Sequence, residues 1–222
     1  MLRDALAVAG KDLRIEVRSR VALNQVAPFA LLVLILFAFA LDPDSGTLRA
    51  ATSGLFWVAV LFCAVLAIQR AFAIEAADAN QDALRLSGLE PAGIFLGKML
   101  AVCAQLLALE VLLGIGVTVL YDTTPTGWLL LLATCVAATA GIAAAGTVYG
   151  ALAGGLRQRE TLIPLLVLPV LAPVMIGGTR AFEAALSGTT SQAWPWVQLL
   201  TVFAVLYVTM GVLTFGSLLE DA

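Results

Sequence analysis

Of the 222 residues in the chain, 61% are hydrophobic and 12% charged, with a mean hydropathy of +1.01, which places it in a bilayer and outside the range of soluble globular domains. A net charge of −3 without a single histidine argues against a nucleic-acid-binding surface and removes the commonest metal ligand and general base. Cys63, Cys103 and Cys135 stand far apart inside apolar runs, odd in number and without CxxC spacing, so they read as small core residues and not as a disulfide framework.

A helix that crosses a bilayer needs about 20 apolar residues. Residues 1–20, MLRDALAVAGKDLRIEVRSR, precede any such run and carry charge from Arg3 onward, so a cleavable signal peptide is not expected. Helical spacing puts Leu2, Leu6, Ala9, Leu13 and Val17 on one face and turns Lys11, Arg14 and Arg18 toward the other. That pattern predicts an amphipathic helix lying along the inner leaflet, with a frayed basic tail as the plainer alternative. Six apolar runs follow, at about 21–41, 53–73, 94–120, 127–153, 161–178 and 194–218.

Between the second and third runs lies the long polar stretch IEAADANQDALRLSGLEPAG, residues 74–93. Glu75, Asp78, Asp82 and Arg85 recur at helical spacing, with Ala76, Ala79, Ala83 and Leu86 on the adjoining face, and Ser87, Gly88 and Pro91 end the pattern. A short helix over 75–92, joined to a span at each end, has the form of a lever that a soluble partner could push. A solvated turn is the alternative.

The third run carries Gln105 and Glu110, and an acid at that depth must be neutral, paired or turned to a polar cavity. GIFLGKM at 93–99 only imitates a phosphate loop, lacking the four-residue spacer and the following Ser or Thr. In the fourth run Ala137, Gly141, Gly146, Gly150 and Gly154 stand amid alanines, a pattern that lets helix backbones approach closely, within one molecule or between two. Pro164, Pro169 and Pro173 predict a bent or broken fifth span. Residues 179–193, with Arg180 three before Glu183, then form either a short helix dipping into the outer leaflet or a loop.

Sorting the twelve basic residues by side groups Arg3, Lys11, Arg14, Arg18, Arg20, Arg70, Arg85, Lys98, Arg157 and Arg159, with Arg49 and Arg180 opposite. The positive-inside rule then puts both termini in the cytoplasm. Trp57, Trp128, Trp194 and Trp196 fall at the ends assigned to the outer side, where tryptophan favours the interface. No nucleophile with its base and no metal-ligand cluster emerges, so an enzyme is not expected.

With these residues in view the chain resembles the CcmB family, the membrane subunit of the ABC-type haem exporter complex of cytochrome c maturation, over nearly its whole length. The resemblance rests on GLFWVAVLFCAVLAIQRAFAIE at 54–75, ALRLSGLEPAGIFLGKML at 83–100 and LRQRETLIPLLVLPVLAPVMIGG at 156–178. It implies an all-α integral membrane protein: an exporter-type ABC permease of six transmembrane helices in one domain, 1–222, located in the bacterial cytoplasmic (inner) membrane. It implies a CcmA-type ATPase docked on the cytoplasmic face, with Arg70, Glu75, Asp78, Asp82 and Arg85 as the coupling residues and Pro164, Pro169 and Pro173 shaping the kinked helix. It further implies CcmC- and CcmD-type membrane subunits, a CcmE-type periplasmic haem chaperone, and two copies per complex by analogy with ABC architecture. Haem would be a transported or handled species, ATP would be bound only by the partner, and no covalent cofactor is implied. The residues alone leave open an ABC exporter for lipid, drug or polysaccharide, and a non-transporting membrane scaffold assembled through the glycine-rich fourth span.

Overall fold

The computed structural model describes residues 1–41, 46–77, 88–154 and 159–221, and the regular elements among them are helical throughout. Helix α1 (Leu2–Ser19) stops at Arg20, whose left-handed φ of 54° breaks the ladder. One turn of π-helix (Ala22–Val26) leads into α2 (Ala27–Ala40), whose Pro28 sits in the first turn, where a missing N–H costs nothing. α3 (Thr47–Ala77) and α4 (Pro91–Leu120) follow, and then α5 (Trp128–Gly154). α6 (Arg159–Val170) and α7 (Ala172–Ser187) meet at Leu171, and a short 3-10 turn (Thr190–Gln192) precedes α8 (Trp194–Asp221).

Four of these helices, α3, α4, α5 and α8, are long and apolar enough to cross a bilayer alone. Two bent pairs, α1 with α2 at 51° and α6 with α7 at 53°, raise the number of candidate spans to six. The molecule is an all-α, multi-pass membrane protein. α5 is its hub, packing against α3, α4, α6, α7 and α8, because its small side chains admit close neighbours. A Cβ on Gly146 would lie 2.2 Å from Ile68 of α3, and one on Gly150 the same distance from the Phe72 ring. Both glycines of that four-residue repeat are thus used inside the monomer.

One end of the bundle carries α1, the start of α4 and the end of α8, where Phe95 and Phe215 pack 5.5 Å apart. It also holds Arg3, Lys11, Arg14, Arg18, Arg70 and Lys98, and we refer to it as the basic end. At the opposite end Arg49 pairs with Asp122, and Arg180 with Glu183 at 3.3 Å.

Several boundaries differ from those read in the sequence. The first apolar run starts just past the turn at Arg20, but its first five helical residues are π-helical, leaving α2 with 14 residues. The fifth span does not end at 178: α7 runs through Gly177 and Gly178 to Ser187, and the Ala185 carbonyl accepts from the N–H groups of Thr126 and Gly127 at 3.1 and 2.9 Å. Glycine there does not break the helix, because Trp57 fills the space beside Gly178, where a Cβ would come within 2.8 Å. For the same reason Trp57 is fully buried and is no interface anchor, whereas Trp128 and Trp194 are exposed. Of the polar stretch at 75–92, residues 78–87 lie outside the described residues. Residues 75–77 complete α3, Gly88 turns at φ +67°, and Pro91 already opens α4.

Candidate functional site

At the basic end α1 lies along the start of α4, because both helices are small where they touch. Ala5 and Val8 are buried on Gly97, where a Cβ would stand 2.6 Å from the Val8 Cβ. One turn farther along the same face of α1 is Asp12, 3.7 Å from the ammonium of Lys98, which is 2% exposed and sits 5.1 Å above the Phe72 ring. Another turn brings Glu16, whose Oε2 accepts from Arg70 Nε at 3.0 Å and whose Oε1 accepts from the Ala22 N–H at 2.8 Å. Arg70 Nη2 donates to the Ser19 hydroxyl at 2.8 Å, which itself donates to the Glu16 carbonyl at 3.0 Å. The result is a brace of alternating charge that joins α1, the turn into α2, α3 and α4.

Glu16 is 14% and Arg70 27% exposed, so removing either partner would leave the other charge shielded from water and unpaired. A cavity of about 30 Å³ lies under it, lined in part by Asp12, Glu16, Arg70 and Gln105. The Gln105 Nε2 is buried there without a hydrogen-bond partner.

The predicted coupling residues divide at this point. Arg70 turns inward to α1. Glu75 lies in the last turn of α3, five residues beyond it, and only its backbone is described. Asp78, Asp82 and Arg85 lie outside the described residues. Pro164 and Pro169 are inside α6 and Pro173 is in the first turn of α7. The ring of Pro173 has no N–H to return to the Pro169 carbonyl, and the two axes part at that joint.

Gln105 and Glu110 are not brought together, since five residues of helix turn them to different faces. Gln105 faces the brace. Glu110, 5% exposed, faces α5, where the Thr139 hydroxyl donates to its Oε1 and the Cys135 thiol lies alongside. Glu110 also lines an apolar crevice of about 300 Å³ between α4 and α5, walled by Phe56 and Phe182, whose rings stack at 4.5 Å.

Sequence reasoning missed Asp12, Glu16, Ser19 and Lys98 as partners of Arg70 or of one another. A signal existed: Asp12 and Glu16 are four apart, on a face of α1 that carries none of its exposed apolar residues. Thr139 and Cys135 were missed likewise, though they too stand four apart. Among the described residues no group of three His, Cys, Asp or Glu side chains is placed to hold a metal ion.

A family model described as CcmB protein matches residues 3–220. Among curated relatives, the heme exporter protein B of Paracoccus denitrificans (strain Pd 1222) is 29% identical over 93% of each chain. The protein of that name from Rhodobacter capsulatus is 26% identical over 95% of each. That of Pseudomonas aeruginosa is 29% identical over 88% of each.

Proposed function

Because this chain belongs to the CcmB family, we propose that it couples ATP hydrolysis on a partner to the handling of haem. Its relatives, named heme exporter protein B, make it a membrane subunit of the haem-export and cytochrome c maturation system, a permease and not itself a catalyst. In the finer reading, a CcmA-type ATPase docks at the basic end, in the cytoplasm, against the segment that follows Glu75. The chain then works in the bacterial inner membrane beside CcmC- and CcmD-type subunits, in two copies, and its motion exports haem or releases a haem-loaded CcmE-type chaperone outside. ATP is bound by the partner alone.

The observation that supports this reading is the brace. A push on the acidic segment enters α3 at its end, and Arg70, less than two turns inward, passes it to α1 through Glu16 and Ser19, while Lys98 and Asp12 link α4. Helices pinned in this way move as one body, which is what a coupling element requires. With no histidine, the subunit supplies no imidazole to haem iron, which leaves Met99, Met175, Met210, the tyrosines or no ligation by this chain.

The test is co-purification from detergent of the tagged wild type and of the triple variant E75K/D78K/D82K, scoring bound ATPase and mature c-type cytochrome together. The expected result is an ATPase on the wild type, with both ATPase and cytochrome lost in a variant that still inserts. Equal retention by both would move the docking surface elsewhere, and no ATPase on either would favour the scaffold.

A further inference from the structure

We propose that the groove between the π turn and α3 holds an anionic phospholipid of the leaflet at the basic end. This inference does not depend on coupling to an ATPase. The groove has a volume of about 690 Å³ and is open to the surface, and its two walls change character at the same level. On α3, Phe62, Val65 and Leu66 lie toward the middle of the span, whereas Gln69 and Arg70 lie toward the basic end. On the facing wall Phe29 and Val26 lie deep, and the exposed Gln25 stands at the basic end. From Phe62 to Arg70 there are eight residue steps, about 12 Å of rise. At the deep end the Phe29 and Phe62 rings meet edge to face at 6.2 Å. An oily slot under a polar rim is the profile of one lipid, with its acyl chain inside and its headgroup at the rim.

The rim is cationic, and its charge is within reach of a ligand. Arg70 lines the groove with its side chain 27% exposed. Its Nε serves Glu16 and its Nη2 serves Ser19, which uses two of the five N–H donors of a guanidinium and leaves Nη1 for an outside oxygen. Guanidinium and phosphate match in charge and in planar donor geometry. Arg18 and Arg20 are exposed on the turn that leads to Val21, itself in the groove wall. Among the described residues neither of them enters an ion pair.

Between Glu16 and Gln25 the sequence holds no acid other than Glu16 itself, so Arg18, Arg20 and Arg70 leave an excess of positive charge at the rim. That excess selects an anionic headgroup over a zwitterionic one. An apolar helix seated in the groove would fill the slot and leave the rim uncompensated. The wall opposite Arg70 adds an independent sign: single turns of π-helix are uncommon and recur at functional sites, and this one supplies Gln25 and Val26 to the groove.

The experiment uses the full chain, both isolated and with its co-purifying subunits, in phosphatidylcholine nanodiscs. The probe is a phosphatidylglycerol with a diazirine in the upper half of one acyl chain, and the matching phosphatidylcholine is the zwitterionic control. After photolysis, labelled peptides are mapped by mass spectrometry in wild type, R18Q/R20Q and V65W. Neither variant alters Arg70, Glu16 or Ser19, and the V65W side chain projects into the open groove, so the brace and the fold are retained. The expected result is saturable labelling of the α2 peptide containing Phe29 and of the α3 peptide spanning 62–66, competed by plain phosphatidylglycerol and not by phosphatidylcholine. R18Q/R20Q should bind the probe about tenfold more weakly, the scale of one lost hydrogen bond to a charged group, and V65W should lose the saturable part. Labelling that rises linearly with probe, equal labelling by the two probes, or wild-type behaviour in either variant overturns the proposal. So does saturable labelling of the isolated chain that disappears when the co-purifying subunits are present, because the groove would then be the seat of a protein segment, a second copy of this chain included.

Discussion

The guanidinium of Arg70 reaches two different oxygens at once, a Glu16 carboxylate at 3.0 Å through Nε and the Ser19 hydroxyl at 2.8 Å through Nη2. A lysine ammonium is a single point and cannot serve both directions with the same geometry. R70A is expected to destabilise the protein by about 2 kcal/mol, because Glu16 keeps its charge in a largely dry place, and R70K is expected to recover only a minor part. Thermal unfolding of the purified variants in detergent measures this as two lowered Tm values, and an unchanged Tm in R70A would show that the brace carries no stability. Arg70 was legible as a lone charge near the end of an apolar run. Glu16 was not, because it stands 54 residues away and no periodicity within one helix refers to another. Glu110 repeats the lesson, an acid visible at once with a hydroxyl partner 29 residues on.

Elements combine residues in ways that polarity alone does not rank. On α1 the expected apolar face is Leu2, Leu6, Ala9, Leu13 and Val17, of which Leu2, Leu6 and Val17 are exposed, whereas Ala5, Val8 and Ala9 are buried. The helix docks on its small residues, because Gly97 of α4 accepts only a close neighbour, and leaves the large ones for lipid beside a basic flank. The broken fifth span shows the reverse, a feature that local chemistry foretells, since proline removes a donor wherever it stands. Its angle of 53° is expected to depend on Pro173, at the start of α7, more than on Pro164 within α6. In P173A the Leu171 joint can close its hydrogen-bond ladder, and spin labels at Leu165 and Glu183 are expected to move apart by about 2 Å as the helix straightens. P164A is expected to leave that distance unchanged. Pulsed electron paramagnetic resonance separates the two, and a P173A distance equal to wild type would assign the bend to packing.

At the scale of the molecule the two ends differ in charge, and the positive-inside rule turns that difference into an orientation. Residues Arg14, at the basic end, and Ser187, at the other, are both exposed. A membrane-impermeant maleimide applied to spheroplasts is expected to label S187C at once and R14C only after permeabilisation, and the reverse order would invert the topology. Membership of the all-α membrane class, the placing of the apolar runs, the charge asymmetry and the kink all follow from the sequence alone. In lipid a helix satisfies its own backbone, so each span is decided by its own residues. The pairing of helices, the burial of Trp57, the brace around Arg70 and the crevice at Glu110 were settled only by the tertiary structure. Lipid is as apolar as leucine and gives no hydrophobic preference for one face over another, so the choice falls to shape, to glycines that admit a ring, and to polar atoms that meet across helices distant in the chain.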